Sequence, residues 1–397
     1  MSEEDDRRIR RLRWFIYALV LLSSLLQSAI APLLPSYAHR FQLGGLQIAA
    51  LLAAMGIAAL IISLPAGALS DRFGARVLTL WSGWLIVVAT LAQAFAPSFA
   101  VLLVSRLVFG LGYGIVWTAA LTWLARASGD ETSLAGTITA SGFGSIVGPA
   151  FSGFIAQYFG LAAPFVVATV LVVAVTLMLT AIDFEGASSV ERTSVIASVR
   201  AATVDLKVLG ATVAVAIAGA SAALVTLIAP LELHDSGASE GSIGVAFSVA
   251  AVLFILGSTV TRRAGLRAVR LKTVFGAGLI IALVMTPSTA SAAPLFVVVM
   301  LCATSAARSV LWAVGYPLGA SGANQAGVGL GVVMGLLNLV WALATVVSPL
   351  LAGALIGPLG ARGTFAVAQV VLGAGLVIGW LAFHVRVPVR DIGVRHL

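Results

Sequence analysis

The sequence predicts an all-α membrane protein: twelve transmembrane helices in two six-helix bundles that repeat in parallel, with both termini cytoplasmic. Three observations carry this expectation. Of the 397 residues, 60% are hydrophobic and only 10% are charged, where a soluble globular chain carries about 25% charged residues. Twelve apolar runs have roughly the 20 residues that a helix needs to cross a bilayer. Two sets of residues recur at an offset of about 200 positions, the mark of an internal repeat.

The charge deficit excludes a soluble enzyme, a nucleic-acid-binding module and a disordered scaffold, because so few charges cannot cover a soluble surface. The spans are expected near 14–36, 46–69, 77–96, 98–123, 133–157 and 161–182, then 208–231, 242–261, 273–290, 294–318, 326–353 and 364–384. Runs of this length read as helices, since only helices and closed barrels satisfy their backbone in lipid and barrel strands are shorter. The N-terminal stretch Glu3–Asp6 followed by Arg7–Arg13 is unlike a signal peptide, and the apolar run behind it is too long for one, so it reads as a retained first span.

Orientation comes from the basic residues. With the N-terminus inside, nineteen of the 23 Lys and Arg residues fall in inner segments, Arg40 and Arg362 fall outside, and Arg106 and Arg308 lie within spans. Cytoplasmic loops carry such an excess, so an inner (plasma) membrane, multi-pass location is expected. The repeat pairs Ile30-Ala31-Pro32-Leu33 with Ile228-Ala229-Pro230-Leu231, and Val147, Pro149, Gly153 and Gly160 with Val347, Pro349, Gly353 and Gly360. The expected organisation is a cytoplasmic tail over 1–13, a six-helix bundle over 14–182, a polar cytoplasmic linker over 183–207, a second bundle over 208–384 and a tail over 385–397. Parallel repeats of this kind belong to transporters with a site near mid-membrane between the repeats.

Chemistry-bearing motifs are sparse. Cys302 is the one cysteine, and the four histidines lie at or beyond span ends without metal-ligand spacing, so no metal and no cofactor is expected. Gly237-Ala-Ser239-Glu-Gly241 matches an esterase pattern, but between two helices it reads as a loop with Ser239 capping the eighth span. No phosphate-cradling nucleotide loop is present, so transport energy is expected from a gradient.

Four segments carry a family resemblance. Gly67-Ala-Leu-Ser-Asp71-Arg72-Phe-Gly74-Ala-Arg76, between the second and third spans, resembles the loop signature of the major facilitator superfamily. Arg106-Leu-Val-Phe-Gly110-Leu-Gly112-Tyr-Gly114 is similar to that family's fourth-helix arginine motif. Gly144-Ser-Ile-Val-Gly148-Pro149-Ala-Phe-Ser152-Gly153 and Pro32-Leu-Leu-Pro35 resemble the twelve-helix drug/proton antiporter group. The resemblance implies a major facilitator fold, and a latch built from Gly67, Asp71, Arg72, Gly74, Arg76 and Arg126 that holds the halves in the outward-open state. This chain departs from the antiporter pattern in Ala135 and Ser152, where glycine is usual. Its first helix offers Ser23, Ser24, Gln27 and Ser28 but no acid.

Within the spans, charged residues stand out, since an arginine at mid-bilayer costs at least about 2.5–3.5 kcal/mol. Arg106 shares a helical face with Gly110, Tyr113 and Trp117; it reads as a cavity arginine or as a structural one bonded to backbone carbonyls. Arg308 shares a face with Thr304, Ser305, Trp312 and Tyr316, and no deep acid is available to pair with it; it favours a substrate with a carboxylate, a phosphate or another acceptor, or it is solvated by cavity water. Glu232 is the one acid at a span end that could face a central cavity, as a proton carrier or an ordinary loop acid. Gln27 completes the expected cavity lining. Gly144, Gly148, Pro149 and Gly153, with Pro349 and Gly353, are expected to pack the fifth and eleventh helices closely, as the hinge-like interface between halves.

The expected function is secondary active transport of small organic molecules by alternating access, as proton-coupled efflux by antiport. The expected partners are a small-molecule substrate, the proton and the lipid bilayer, with no nucleic acid and a monomeric state. The alternative is a proton-independent importer or exchanger of an organic anion. A polytopic membrane enzyme is a remote alternative, since no cluster of acids or histidines is in view.

Overall fold

The computed structural model describes residues 3–128, 131–182, 205–264, 271–284, 293–326 and 330–386. Every regular element within them is helical. The N-terminal half comprises α1 (Glu3–Ser28), α2 (Leu34–Phe41), α3 (Gly45–Phe73), α4 (Ala75–Ala94), α5 (Phe99–Ile115), α6 (Leu121–Ser128), α7 (Glu131–Phe159) and α8 (Ala163–Thr180). The C-terminal half comprises α9 (Leu206–Asp235), α10 (Glu240–Arg263), α11 (Leu271–Val284), α12 (Pro294–Ala326) and α13 (Leu330–Arg386).

Among the described residues, ten helices are long and apolar enough to cross a membrane, and Thr273–Val284 is a shorter apolar helix. The stretch Val333–Val377 holds 45 residues, more than one crossing needs. Helix ends obey local chemistry. Ser98 caps α5, Asp205 accepts from the Lys207 and Val208 amides at 2.8 and 3.0 Å to start α9, and Ser239 caps α10, as its place in the sequence predicts. Gly74, at φ 89°, makes the sharp turn from α3 to α4 that a side chain would strain.

The structure departs from the expected boundaries at four places. Residues 3–13, expected as a tail, continue α1 as helix. The first span breaks after Ser28 into a 3₁₀ turn at Ala31–Leu33 and then α2, because Pro32 and Pro35 cannot donate to the ladder; the repeat partner Pro230 is held inside an unbroken α9. The fourth span contains a π turn at Val116–Ala120 between α5 and α6. The loop expected near 354–363 is helical, and α13 is interrupted only at Gly360, with φ 68°. Of the expected 183–207 linker, residues 183–204 lie outside the described residues, as does the tail beyond 386.

Packing repeats between the halves. In the first, α1 packs on α7, α3 on α5, and α4 on α5 and α8; in the second, α9 packs on α13, α10 on α12, and α11 on α12 and α13. Gly160 and Gly360, repeat partners, both take positive φ (85° and 68°), and Pro149 and Pro349 are both buried within helices. Between halves, α3 meets α13 and α7 meets α10. The fifth and eleventh spans therefore both cross to the opposite half, but against the eighth and second spans respectively.

Glycine placement shows how. A Cβ on Gly144 or Gly148 would strike the α1 backbone at Leu21 or Leu25, so these two pack α7 within its own half rather than across the interface expected for them. Gly153 instead abuts Glu240 and Gly241 of α10, and Gly353 abuts Gly45 and Ala49 of α3. A small-residue stripe permits close approach, but α7 carries two such faces, each with its own partner.

Candidate functional site

The two halves enclose a cavity of about 250 Å³. Its wall takes Gln27 and Ser28 from α1, Met55 from α3, Arg106 from α5, Ser145 and Pro149 from α7, Thr226 from α9 and Phe247 from α10. It is completed by Thr304, Ser305 and Arg308 from α12 and by Trp341 and Thr345 from α13. The described lining includes two arginines and no carboxylate. A larger hollow of about 370 Å³ between α4 and α5 is lined by apolar side chains and Ser105, and offers little chemistry beyond them.

Arg106 is 2% exposed. Its Nε donates to the Leu51 carbonyl at 3.4 Å, its guanidinium lies 5.5 Å from the Phe109 ring centroid, and its Nη1 has no partner among the described residues. Arg308 lies 5.2 Å from the Phe254 ring centroid, donates from Nη2 to Ser305 Oγ at 3.4 Å, and has an unpartnered Nε. Thr304, one turn before it and 2% exposed, has an unpartnered hydroxyl. Buried donors without acceptors each cost about 1–3 kcal/mol, so this cluster is incomplete as the chain alone presents it.

Aromatic side chains brace the wall. Trp312 lies 4.7 Å from Trp341 at an interplanar angle of 74°, 4.8 Å from Tyr316 and 6.4 Å from Phe254, centroid to centroid. The Tyr316 hydroxyl donates to Asn338 Oδ1 at 2.9 Å, tying α12 to α13. In the other half, the Tyr113 hydroxyl donates to Gln27 Oε1 at 2.8 Å, and Tyr113 stands 6.2 Å from Trp117.

The halves meet tightly at one end of the bundle. Ser36 donates to Glu240 Oε1 at 2.6 Å and the Gly241 amide to Gln157 Oε1 at 3.2 Å; Gly45 and Gly353 sit backbone to backbone. The other end is where Arg7–Arg13, Arg72, Arg76, Arg126, Arg262 and Arg263 lie. A Cβ on Gly67 or Gly335 would meet nothing within 4 Å, and Ile61, Ser63 and Pro65 of α3 are exposed.

A family model described as the Major Facilitator Superfamily matches residues 16–333. The chain belongs to the Major Facilitator Superfamily. It is accordingly a multi-pass membrane protein. Relatives in this superfamily include the MFS-type transporter ppzB of Metarhizium rileyi, 32% identical over 177 residues, which are 43% of this chain and 36% of that protein. The chain thus spans about a third of that relative's length. The human vesicular acetylcholine transporter is 27% identical over 380 residues, 92% of this chain and 69% of that one. Among solved superfamily structures, a bacterial homolog of the human lysosomal transporter Spinster, inward-facing and unoccupied, superposes with a TM-score of 0.77 at 13% identity over 96% of this chain and 97% of that one. The nucleoside transporter NupG superposes with a TM-score of 0.75 at 12% identity, over 94% and 99%.

Of the residues singled out in the sequence, Gln27, Arg106, Thr304 and Arg308 line one cavity, with Tyr113 bonded to Gln27, and Trp312 and Tyr316 behind Trp341. Trp117 has an unpartnered indole Nε1 beside the π turn. Glu232 lies half-buried near the far end of α9, in the field of Asp235 and Arg362, and is not in the described lining. Of the loop motif, Arg76 donates to the Ile182 and Thr180 carbonyls at 2.7 and 3.0 Å, closing the end of α8 within its own half. Arg72 is exposed against Phe73, Gly67 faces open space and Arg126 is half-buried. The Asp71 side chain lies outside the described residues. Among the described residues no group of His, Cys, Asp and Glu is arranged to hold a metal. Sequence spacing misses Trp341, Phe254 and Asn338, because each meets the α12 cluster from another helix.

Proposed function

We propose that this superfamily member moves a small organic anion across the plasma membrane by alternating access, and that the structure is its inward-facing state. One observation carries the reading: a cavity between the halves is lined by two arginines, Arg106 buried and Arg308 partly so, with unused N–H donors and no carboxylate in its described lining. An anion supplies the missing acceptors, and in a low-dielectric site such charge-assisted bonds are the strong ones. A cation would meet two like charges. The acetylcholine in the human relative's name is therefore not carried over to this chain.

Twelve spans with both ends cytoplasmic fit the ten long helices, the short Thr273–Val284 helix and the overlong Val333–Val377 stretch. The basic end is then the cytoplasmic one. In this reading the two bundles, 14–182 and 208–384, rock about the glycine contacts, and the Asp71 loop latches the halves only when the basic end closes. The protein works as a monomer.

Proton antiport with efflux is a second reading, favoured by the Gly144–Gly153 motif on α7, with Glu232 as carrier. The purified protein in liposomes with an internal pH dye tests both readings. Anions, and not matched neutral or cationic compounds, should exchange across the membrane; transport confined to cations would overturn the proposal. Under antiport, substrate addition should also move protons, and Glu232→Gln should abolish that movement while sparing counterflow.

A further inference from the structure

We infer that the substrate is a single-ring aromatic carboxylate, its carboxylate held by Arg308 and Thr304 and its ring held against Trp341. This rests on the anion reading and narrows it. Arg308 and Thr304 stand one turn apart on α12 and both line the cavity, and each carries a buried donor, Nε–H and hydroxyl, without a partner among the described residues. Two donors one turn apart suit the two oxygens of one carboxylate. The Arg308 guanidinium rests on Phe254 and lies 3.4 Å from Ser305 Oγ.

The aromatic wall follows from the same cluster. Trp341 lines the cavity and is propped by Trp312, which is held in turn by Tyr316 and Phe254. The indole is thus a braced flat surface close to the anion site, and Phe247 faces the same space from α10. An inorganic anion would leave that surface unused. The cavity, at about 250 Å³, is a little smaller than the roughly 300–1,000 Å³ of pockets for drug-sized ligands, which suits a ligand of about one ring.

The test is calorimetric titration of the full-length protein in lipid nanodiscs with benzoate, cyclohexanecarboxylate, benzyl alcohol, benzylamine and phenyl phosphate. Benzoate should bind tightest, about three- to ten-fold above cyclohexanecarboxylate, the gain from aromatic contact. Benzyl alcohol should be at least about ten-fold weaker than benzoate, as expected for a lost charge-assisted bond. Arg308→Gln should weaken benzoate about 10- to 100-fold. Thr304→Val, which removes a buried unpartnered hydroxyl and keeps the shape, should weaken it several-fold without lowering the melting temperature. Trp341→Leu should abolish the preference for benzoate over cyclohexanecarboxylate. Arg308→Lys keeps the charge and stands in if Arg308→Gln does not fold.

Equal binding of benzoate and cyclohexanecarboxylate, or a preference untouched by Trp341→Leu, overturns the aromatic assignment and leaves the anion reading standing. Tighter binding of phenyl phosphate overturns the carboxylate. Binding of benzyl alcohol or benzylamine at least as tight as benzoate overturns the anion reading itself. No binding of any of the five overturns the inference.

Discussion

Arg106 and Arg308 occupy corresponding stretches of the two halves, yet their surroundings give them different freedom. Arg106 is bonded across to the α3 backbone at Leu51 and is nearly sealed from solvent. Arg308 donates to Ser305 within α12, rests on Phe254 of α10, and has a buried Nε with no partner among the described residues. Arg106→Leu should therefore damage folding and the α3–α5 contact, lowering the melting temperature in lipid, whereas Arg308→Gln should spare stability and cost affinity. Tyr113→Phe removes the hydroxyl that donates to Gln27 and should cost about 1 kcal/mol of stability, read by thermal unfolding. Sequence patterning exposed both arginines because a charge in an apolar run has no ordinary explanation. It could not show Phe254 beneath Arg308 or Trp341 beside it, since those contacts come from α10 and α13.

At the scale of the helix, the glycines of the closed end are the positions least able to change. Gly45 and Gly353 touch through their backbones, so a side chain at either would strike the Gly353 carbonyl or Ala49. Gly353→Val should pry α13 from α3 and let a membrane-impermeant thiol reagent reach, from the outer face, a cysteine placed at Ile30, a buried residue of the cavity wall. An unreactive site at 30 in that variant would mean that the seal does not depend on glycine. Patterning revealed an all-helical chain of apolar spans, because apolar runs and small-residue stripes are local features. It did not reveal which helix each stripe faces. Gly144, Gly148 and Gly153 lie along one helix, yet Gly153 packs on α10 while the other two pack on α1. The breaks were legible in part: Pro32 and Pro35 mark the 3₁₀ turn after α1, but nothing in the residues of 116–120 announces a π turn.

For the whole molecule, the halves meet at one end, and the proposed inward-facing state can be checked directly. With the lone Cys302 replaced by serine, cysteines introduced at Gly67 and Gly335, where space is open, should react from the cytoplasmic side and become protected when a transported anion drives the carrier through its cycle. Equal reactivity with and without substrate would argue against alternating access in this chain.

The acid-free cavity also has an electrical consequence. If the cargo bears a single negative charge, no proton travels with it and the carrier returns empty, each complete cycle is a current. A cell interior held 100 mV negative would push that anion outward with about 2.3 kcal/mol, enough to sustain roughly a 50-fold ratio across the membrane. The resting voltage alone would then make this chain an exporter, with no second gradient to spend.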